Sequence, residues 1–414
     1  METLHGLVIR NGLVIDRSQN INRISDVYIT KGRIAGIGEP PEGSSQFEQF
    51  DASGCVVTAG LVDCHVHAYE HVTPLGVNID NTCLSKGVTT VVDAGSAGSS
   101  IFPGLRKFIA ERSKARLYCF LHIAQHGLAS AGCVSAGAGG ECDSLNVVNV
   151  EDCVRVINEN RDMIVGVKVR LAAAVCDNDR NEEEVYRRAL QAASICQVPL
   201  MTHHAMSSIG HGGTLGCPGS LRAGDIYTHC FHNYNSVLDP ETGTVDSHCV
   251  EAKKRGVLFD VGHGQGSFSW AVAEQCASEN FWPDIISTDL HTSSVNGPAY
   301  DLPCVMTKML YLGMSLEDIV AAVTSTPAAA IGKLEEVGQL RTGTPADITV
   351  FKVEDVTETV EDSCGDLRTI NKMFVPVAVF IGGERYPINA EKSWPNPTCA
   401  AECRARVAKN KNTK

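Results

Sequence analysis

The segment Asp63-Cys64-His65-Val66-His67 places two imidazoles two residues apart. On a β-strand, residues i and i+2 point the same way, so His65 and His67 can reach one cation together. A second unusual residue is Lys168, inside the apolar run Ile164-Val165-Gly166-Val167-Lys168-Val169-Arg170. An unpaired ammonium there would cost several kcal/mol. Burial can lower a lysine pKa until the amine is neutral. A neutral amine can add carbon dioxide and become a carbamate, an anion able to bridge two cations. The plainer alternative is a lysine paired with a carboxylate such as Asp93. Three further apolar runs end in Met201-Thr202-His203-His204, Tyr227-Thr228-His229-Cys230 and Ser287-Thr288-Asp289-Leu290-His291. Imidazole and carboxylate are the usual protein ligands of catalytic zinc. His65, His67, Lys168, His203, His229 and Asp289 thus end five apolar runs, which points to a metal centre. Adjacent strand residues face opposite ways, so the pattern alone leaves His203 and His204 both open as the ligand from their run.

The elements that must position these residues recur through the middle of the chain. Apolar, β-branched runs lie at residues 56–66, 89–94, 117–123, 164–169, 199–202, 226–231, 257–261 and 285–288. Near-continuous apolar strands are what a parallel sheet buried on both faces needs. Amphipathic stretches such as 182–196 and 316–324 fit the intervening helices. Eight β-then-α units predict an α/β fold, a (β/α)8 TIM-type barrel, whose C-terminal strand ends form the active-site face. The competitor is a doubly wound open sheet, but no G-x-G-x-x-G follows the first run.

The chain ends read differently. Asn11-Gly12 between residues 7–9 and 13–15 predicts a hairpin, and Lys31-Gly32 between 27–30 and 33–37 predicts another. Residues 347–353 and 377–381 repeat this style, the latter running into Gly382-Gly383. The simplest account is a small β-sandwich domain built from 1–57 plus 338–390, a barrel at 58–337 and a polar tail at 391–414, poorly ordered or laid on a neighbour.

Composition excludes several classes. Lys plus Arg number 35 and Asp plus Glu 48, for a net charge of −13. Such a chain is a poor ligand for nucleic acid or an anionic membrane surface. No apolar run reaches the ~20 residues of a membrane span, and the first residues lack a secretory pattern. Seventeen cysteines without a C-x-x-C pair read as reduced, buried thiols of a cytoplasmic protein. Among other polar residues, His263 stands between glycines and could touch substrate or fix its loop. Arg170 could bind a substrate carboxylate or close an ion pair. Asp260 and Asp93 read as groups that orient ligands or cap loops. His211-Gly212-Gly213 resembles a lipase oxyanion loop, but no G-x-S-x-G accompanies it. The glycine-rich 262–266 lacks a P-loop lysine.

Taken together, Gly60-Leu61-Val62-Asp63-Cys64-His65-Val66-His67, Lys168, His203, His229 and Asp289 resemble the amidohydrolase superfamily of binuclear metal hydrolases. Gly343-Thr344-Pro345-Ala346-Asp347 looks like that family's return into the small β domain, and the likeness extends to about residue 388. Within the family, the sequence looks like a deacetylase-like branch often labelled dihydroorotase. The segments carrying this are 87–95, 228–231, 259–264 and 296–302. The resemblance implies two divalent metal ions, Zn2+ by ligand type, although manganese, iron or cobalt suit the same donors. It places His65, His67 and Asp289 on one ion, His203 and His229 on the other, and an N6-carboxylated Lys168 between them. It implies hydrolysis by a metal-bound hydroxide, with Asp289 moving the proton. The implied substrate is a small acylated carboxylate, an ester or amide losing an acyl group, most simply acetyl. Dihydroorotase or cyclic-amidase activity is the alternative. Dihydroorotases usually carry an arginine two residues after the second histidine, to hold the ring carboxylate; here that position is Tyr69, a candidate substrate contact of another kind. The expected partner is therefore a small molecule, not nucleic acid or membrane, with room for a homo-oligomer. A relative that had lost its ligands would serve as an interaction protein, but none of the six is missing.

Overall fold

The structure, a computed structural model, describes residues 6–131, 139–234 and 237–395. The first strands are β1 (Gly6–Asp16), β2 (Ile21–Thr30), β3 (Arg33–Ile37), β4 (Glu48–Asp51) and β5 (Val56–Ala59). Seven barrel strands follow: β6 (Leu61–Val66), β7 (Val88–Gly98), β8 (Arg116–His122), β9 (Ile164–Leu171), β10 (Leu200–His204), β11 (Ile226–Thr228) and β12 (Leu258–Asp260). The chain returns to the first sheet with β13 (Ile348–Glu361), β14 (Leu367–Ile381) and β15 (Glu384–Tyr386). That mixed sheet runs β15-β14-β13-β5-β1-β2-β3, with β4 also paired to β1. It is made from both ends of the chain, and Ile9, Val14, Val57, Ile348 and Phe380 share its buried core.

Turn chemistry explains part of this sheet and corrects one expectation. Lys31 and Gly32 take positive φ and close the β2–β3 hairpin as predicted. Asn11-Gly12 makes no hairpin. β1 runs straight through it, with Ile9 opposite Val27 and Gly12 opposite Ser25. Arg10 and Asn11 therefore face Asp26 alone, two residues against one, which is a β-bulge. Asn11 takes φ 61° there, and its N–H donates to Asp26 Oδ1 at 2.9 Å. The run at 56–66 also divides. Its first part, β5, joins the mixed sheet, and only β6 belongs to the barrel.

β6 to β12 are parallel and in sequential order. The eighth member is not a full strand. Ile285 bridges Asp260 and Leu290 bridges Val66, so the stretch 285–290 closes the ring between β12 and β6. Asp289 takes φ 47° within it, which interrupts the extended course. The result is a TIM-type barrel beside a β-sandwich. The crossovers follow composition. The helix Glu182–Cys196, between β9 and β10, contains neither glycine nor proline and buries Val185, Tyr186, Ala189, Ala192, Ala193 and Cys196 along one face. Three glutamates in its first turn suit the helix dipole. The next crossover, residues 205–225, contains six glycines and Pro218 and forms no helix. The eight-unit expectation fails there, because glycine and proline are the weakest helix formers.

Beyond the sandwich, residues 391–395 lie on the barrel: Lys86 Nζ donates to the Glu391 carbonyl at 2.7 Å, and Trp394 is buried. The rest of the tail, 396–414, lies outside the described residues. Every described cysteine other than Cys364 is a buried free thiol. No described helix is long and apolar enough to cross a membrane.

Candidate active site

The C-terminal strand ends bring three sequence-predicted residues into direct contact. His67 Nε2 lies 3.0 Å from Asp289 Oδ1, and His65 Nε2 lies 3.4 Å from the same oxygen. One ligand atom each from His65, His67 and Asp289 fall within 4.8 Å of one another. The period-two geometry of β6 presents the two imidazoles together, and the closing stretch 285–290 delivers the carboxylate. Both Asp289 and His229 hold left-handed backbone, at φ 47° and 66°. Such conformations are uncommon for residues other than glycine and gather at functional sites.

Hydrogen bonds fix which nitrogen faces the site. The Thr228 hydroxyl donates its one proton to Asp260 Oδ2 at 2.6 Å, so it must accept from His65 Nδ1 at 2.9 Å. His65 therefore carries its proton on Nδ1 and a lone pair on Nε2. The Gly262 carbonyl accepts from His229 Nδ1 at 2.6 Å, which fixes His229 likewise. Ser96 Oγ meets His67 Nδ1 at 3.0 Å. Burial and the nearby Lys168 hold the His65 imidazole well below its ordinary pKa, and burial takes His229 down to about 3. Both rings are neutral and able to ligate. Burial pushes the Asp289 carboxyl up, but the His65 and His67 imidazoles more than reverse this and hold it well below the usual carboxylate range.

Lys168 is fully buried on β9, with its Nζ 3.4 Å from His65 Nε2. No carboxylate among the described residues forms an ion pair with it, so the simple pairing with Asp93 is absent. Asp93 instead accepts from the Ala68 and Ser96 backbone N–H groups, each at 2.7 Å. Burial lowers the Lys168 amine to about 8, against the opposing pull of Asp289 and Asp260. Gly95 makes room for this side chain: an added Cβ would stand 2.6 Å from Lys168 Cγ.

His203 and His204 part as strand alternation requires. The His203 ring packs edge-on against His229, centroids 4.4 Å apart, and His229 lies 5.0 Å from His65. His204 turns away, with Nε2 donating to the Ile209 carbonyl at 2.8 Å and Nδ1 accepting from Tyr227 Oη at 3.0 Å. Both its nitrogens are used. Three candidate substrate contacts differ in placement. Tyr69 does not reach the cluster; its hydroxyl donates to the Ile101 carbonyl at 2.9 Å. His263 does not either. Its Nε2 meets the buried Lys308 Nζ at 2.7 Å, and its ring stacks on Phe268. Arg170 sits opposite His203 in the β9–β10 register, its Nε 3.3 Å from Glu141 Oε1. Its guanidinium makes no hydrogen bond among the described residues, and Glu141 Oε1 and His122 Nε2 are also buried without such partners.

Several supporting residues escaped sequence reasoning. Asp63 accepts from the Thr288 N–H and hydroxyl at 3.0 and 2.6 Å, tying β6 to the residue before Asp289. Burial pushes its carboxyl up to about 7. Thr228, Ser96 and Ser287, which donates to Asp260 Oδ1 at 2.6 Å, are the others. The only signal was position: Asp63 stands two residues before His65, and Thr228 directly precedes His229.

These donors suit a divalent cation: the neutral His65 imidazole, with its lone pair on Nε2, and the His67 imidazole converge on the ionised Asp289 carboxylate. The comparisons agree. The amidohydrolase family profile matches residues 56–386. A deacetylase of Brucella anthropi is 33% identical over 361 residues, covering 87% of each chain. A solved structure described as an adenine deaminase superposes with a TM-score of 0.83 at 29% identity, covering 92% of this chain and 99% of its own. Another, described as a dihydroorotase, gives 0.79 at 30%, covering 92% and 98%. Strand-end donors, barrel and sequence lead to one conclusion: the chain belongs to the amidohydrolase family.

Proposed function

We propose that this protein deacylates, and specifically deacetylates, a small ester or amide bearing a carboxylate. The observation that carries the reading is the meeting of His65, His67 and Asp289 beside a buried Lys168 that has no ion-pair partner among the described residues. Relatives named deacetylase at 33% identity over most of the chain support the substrate class. The family is typically binuclear and metal-dependent. In this reading His65, His67 and Asp289 would hold one ion and His203 and His229 the other, and zinc matches the donors best. Lys168 would serve as an N6-carboxylate ligand: its neutral amine would add carbon dioxide at nitrogen and release one proton, giving a carbamate anion. Bound divalent ions would lower the pKa of water and polarise the acyl carbonyl.

The residues of the chain do the rest. Asp289 is ionised at neutral pH and takes the proton of the attacking water, then delivers it to the leaving oxygen or nitrogen. The Thr228–Asp260 pair keeps His65 in the tautomer that ligates. Arg170 holds the substrate carboxylate through its guanidinium fork, and Glu141 steadies that guanidinium. Dihydroorotase activity is the second reading, favoured by relatives and a solved structure of that name. Against it, the position two residues after the second histidine is Tyr69, whose hydroxyl is engaged with the Ile101 carbonyl.

The test is a panel of O-acetyl and N-acetyl carboxylates, their uncharged methyl-ester analogues and dihydroorotate, assayed on samples of measured metal content. Turnover of acetylated carboxylates with loss on esterification of the carboxylate is expected. Rapid turnover of dihydroorotate alone would overturn the substrate class, and no hydrolysis of any member by metal-loaded protein would overturn the reading.

A further inference from the structure

The helix-free crossover after β10 holds a second group of metal-binding side chains. His211-Gly212-Gly213 plays no part in the centre described above. His211 Nδ1 lies 2.9 Å from Asp246 Oδ2. Asp246 caps the helix Ser247–Lys254, which follows β11, and its Oδ1 accepts from the His248 N–H at 2.7 Å. Cys249 stands three residues further on, on the same face as Asp246. One ligand atom each from His211, Asp246 and Cys249 lie within 4.8 Å of one another.

Capping the helix explains Asp246 alone. It does not explain a histidine carried in from another crossover, nor a thiol at the same point. Cys249 is fully buried, and its Sγ makes no hydrogen bond among the described residues. The approach of the two segments is close: a Cβ at Gly212 would stand 2.3 Å from His248 Nε2, so the loop lies against the first turn of the helix. Mixed imidazole, carboxylate and thiolate donors suit zinc, whereas the catalytic centre offers nitrogen and oxygen only.

We propose that His211, Asp246 and Cys249 form a separate site for a thiophilic divalent cation such as Zn2+. Binding replaces the Cys249 thiol proton with the ion and releases that proton to solvent. The ion pins the glycine-rich crossover, which begins just after His203 and His204, to the helix beyond β11. It takes the place of the tertiary anchoring that a helix would have supplied.

The experiment is cobalt substitution of the full chain. Sulfur ligation gives a thiolate-to-cobalt charge-transfer band in the near ultraviolet, which a nitrogen and oxygen centre does not. The wild type is expected to show the band, and Cys249→Ser to lose it together with about one bound ion per chain. Asp246→Asn is the companion variant. Asn caps a helix as well as Asp does, so loss of band and ion there reports the ligand rather than unfolding. No band in the wild type, or an undiminished band or metal content in Cys249→Ser, overturns the site.

Discussion

The two sides of the catalytic cluster are built on different electrical terms. His65 and His67 share contact with Asp289, at 3.4 and 3.0 Å, and each is anchored through Nδ1 by a hydroxyl. That side has its own negative charge and welcomes a cation as it stands. Among the described residues, no carboxylate forms an ion pair with Lys168, His203 or His229, and the Lys168 amine lies 3.4 Å from His65 Nε2. A protonated Lys168 would repel an ion there. On the reading proposed above, the second side would hold a cation well only after its lysine changed the sign of its charge. On that reading one side is finished by folding, and the other needs a chemical event after folding.

Four experiments bear on that contrast. The largest effect is expected for Asp289→Asn, which should lower kcat by about 10²–10⁴-fold while His203 and His229 still hold metal. A wild-type kcat would dissolve the distinction. Next, Lys168→Ala should lower turnover by about 10²-fold and remove about half the bound metal by elemental analysis. Equal loss of both ions would mean the sides are not independent. Thr228→Val leaves His65 Nδ1 without its acceptor and should weaken metal retention against a chelator by about 10–100-fold; undisturbed retention would show the anchor to be idle. The smallest effect concerns pH. In metal-free protein the Lys168 amine titrates near 8, and only the deprotonated amine attacks carbon dioxide. Reactivation by metal and bicarbonate should therefore speed up as pH rises through about 8 and then level off. A rate flat from pH 7 to 9 would count against an amine that must first lose its proton.

Much of this was readable from residue type and spacing. The i, i+2 pair on β6 and the polar residues closing apolar runs follow from strand geometry, which is local. What escaped was long-range or conformational. The Asn11 bulge depends on a partner strand that supplies one residue against two. The missing fifth helix was written in six glycines, but eight apolar runs invited eight full units. The residue pattern left His203 and His204 both open and the resemblance favoured His203; the Tyr227 and Ile209 partners of His204 became visible only in the fold. Thr228 and Asp63 act across 163 and 225 residues of chain, a distance that no window of sequence spans. His211 and Asp246 belong to different crossovers, so their meeting is visible only after folding.

The mixed sheet has a consequence for how the protein is made. β5 pairs with β1 on one side and with β13 on the other. During synthesis β1 to β5 emerge first, and β13 follows roughly 290 residues later. At about 5–20 residues per second, the β5 edge waits about 15 to 60 s for its neighbour. An uncovered strand edge invites other chains. The β5 edge therefore stays open to other chains for as long as the barrel is being synthesised, until β13 arrives to cover it.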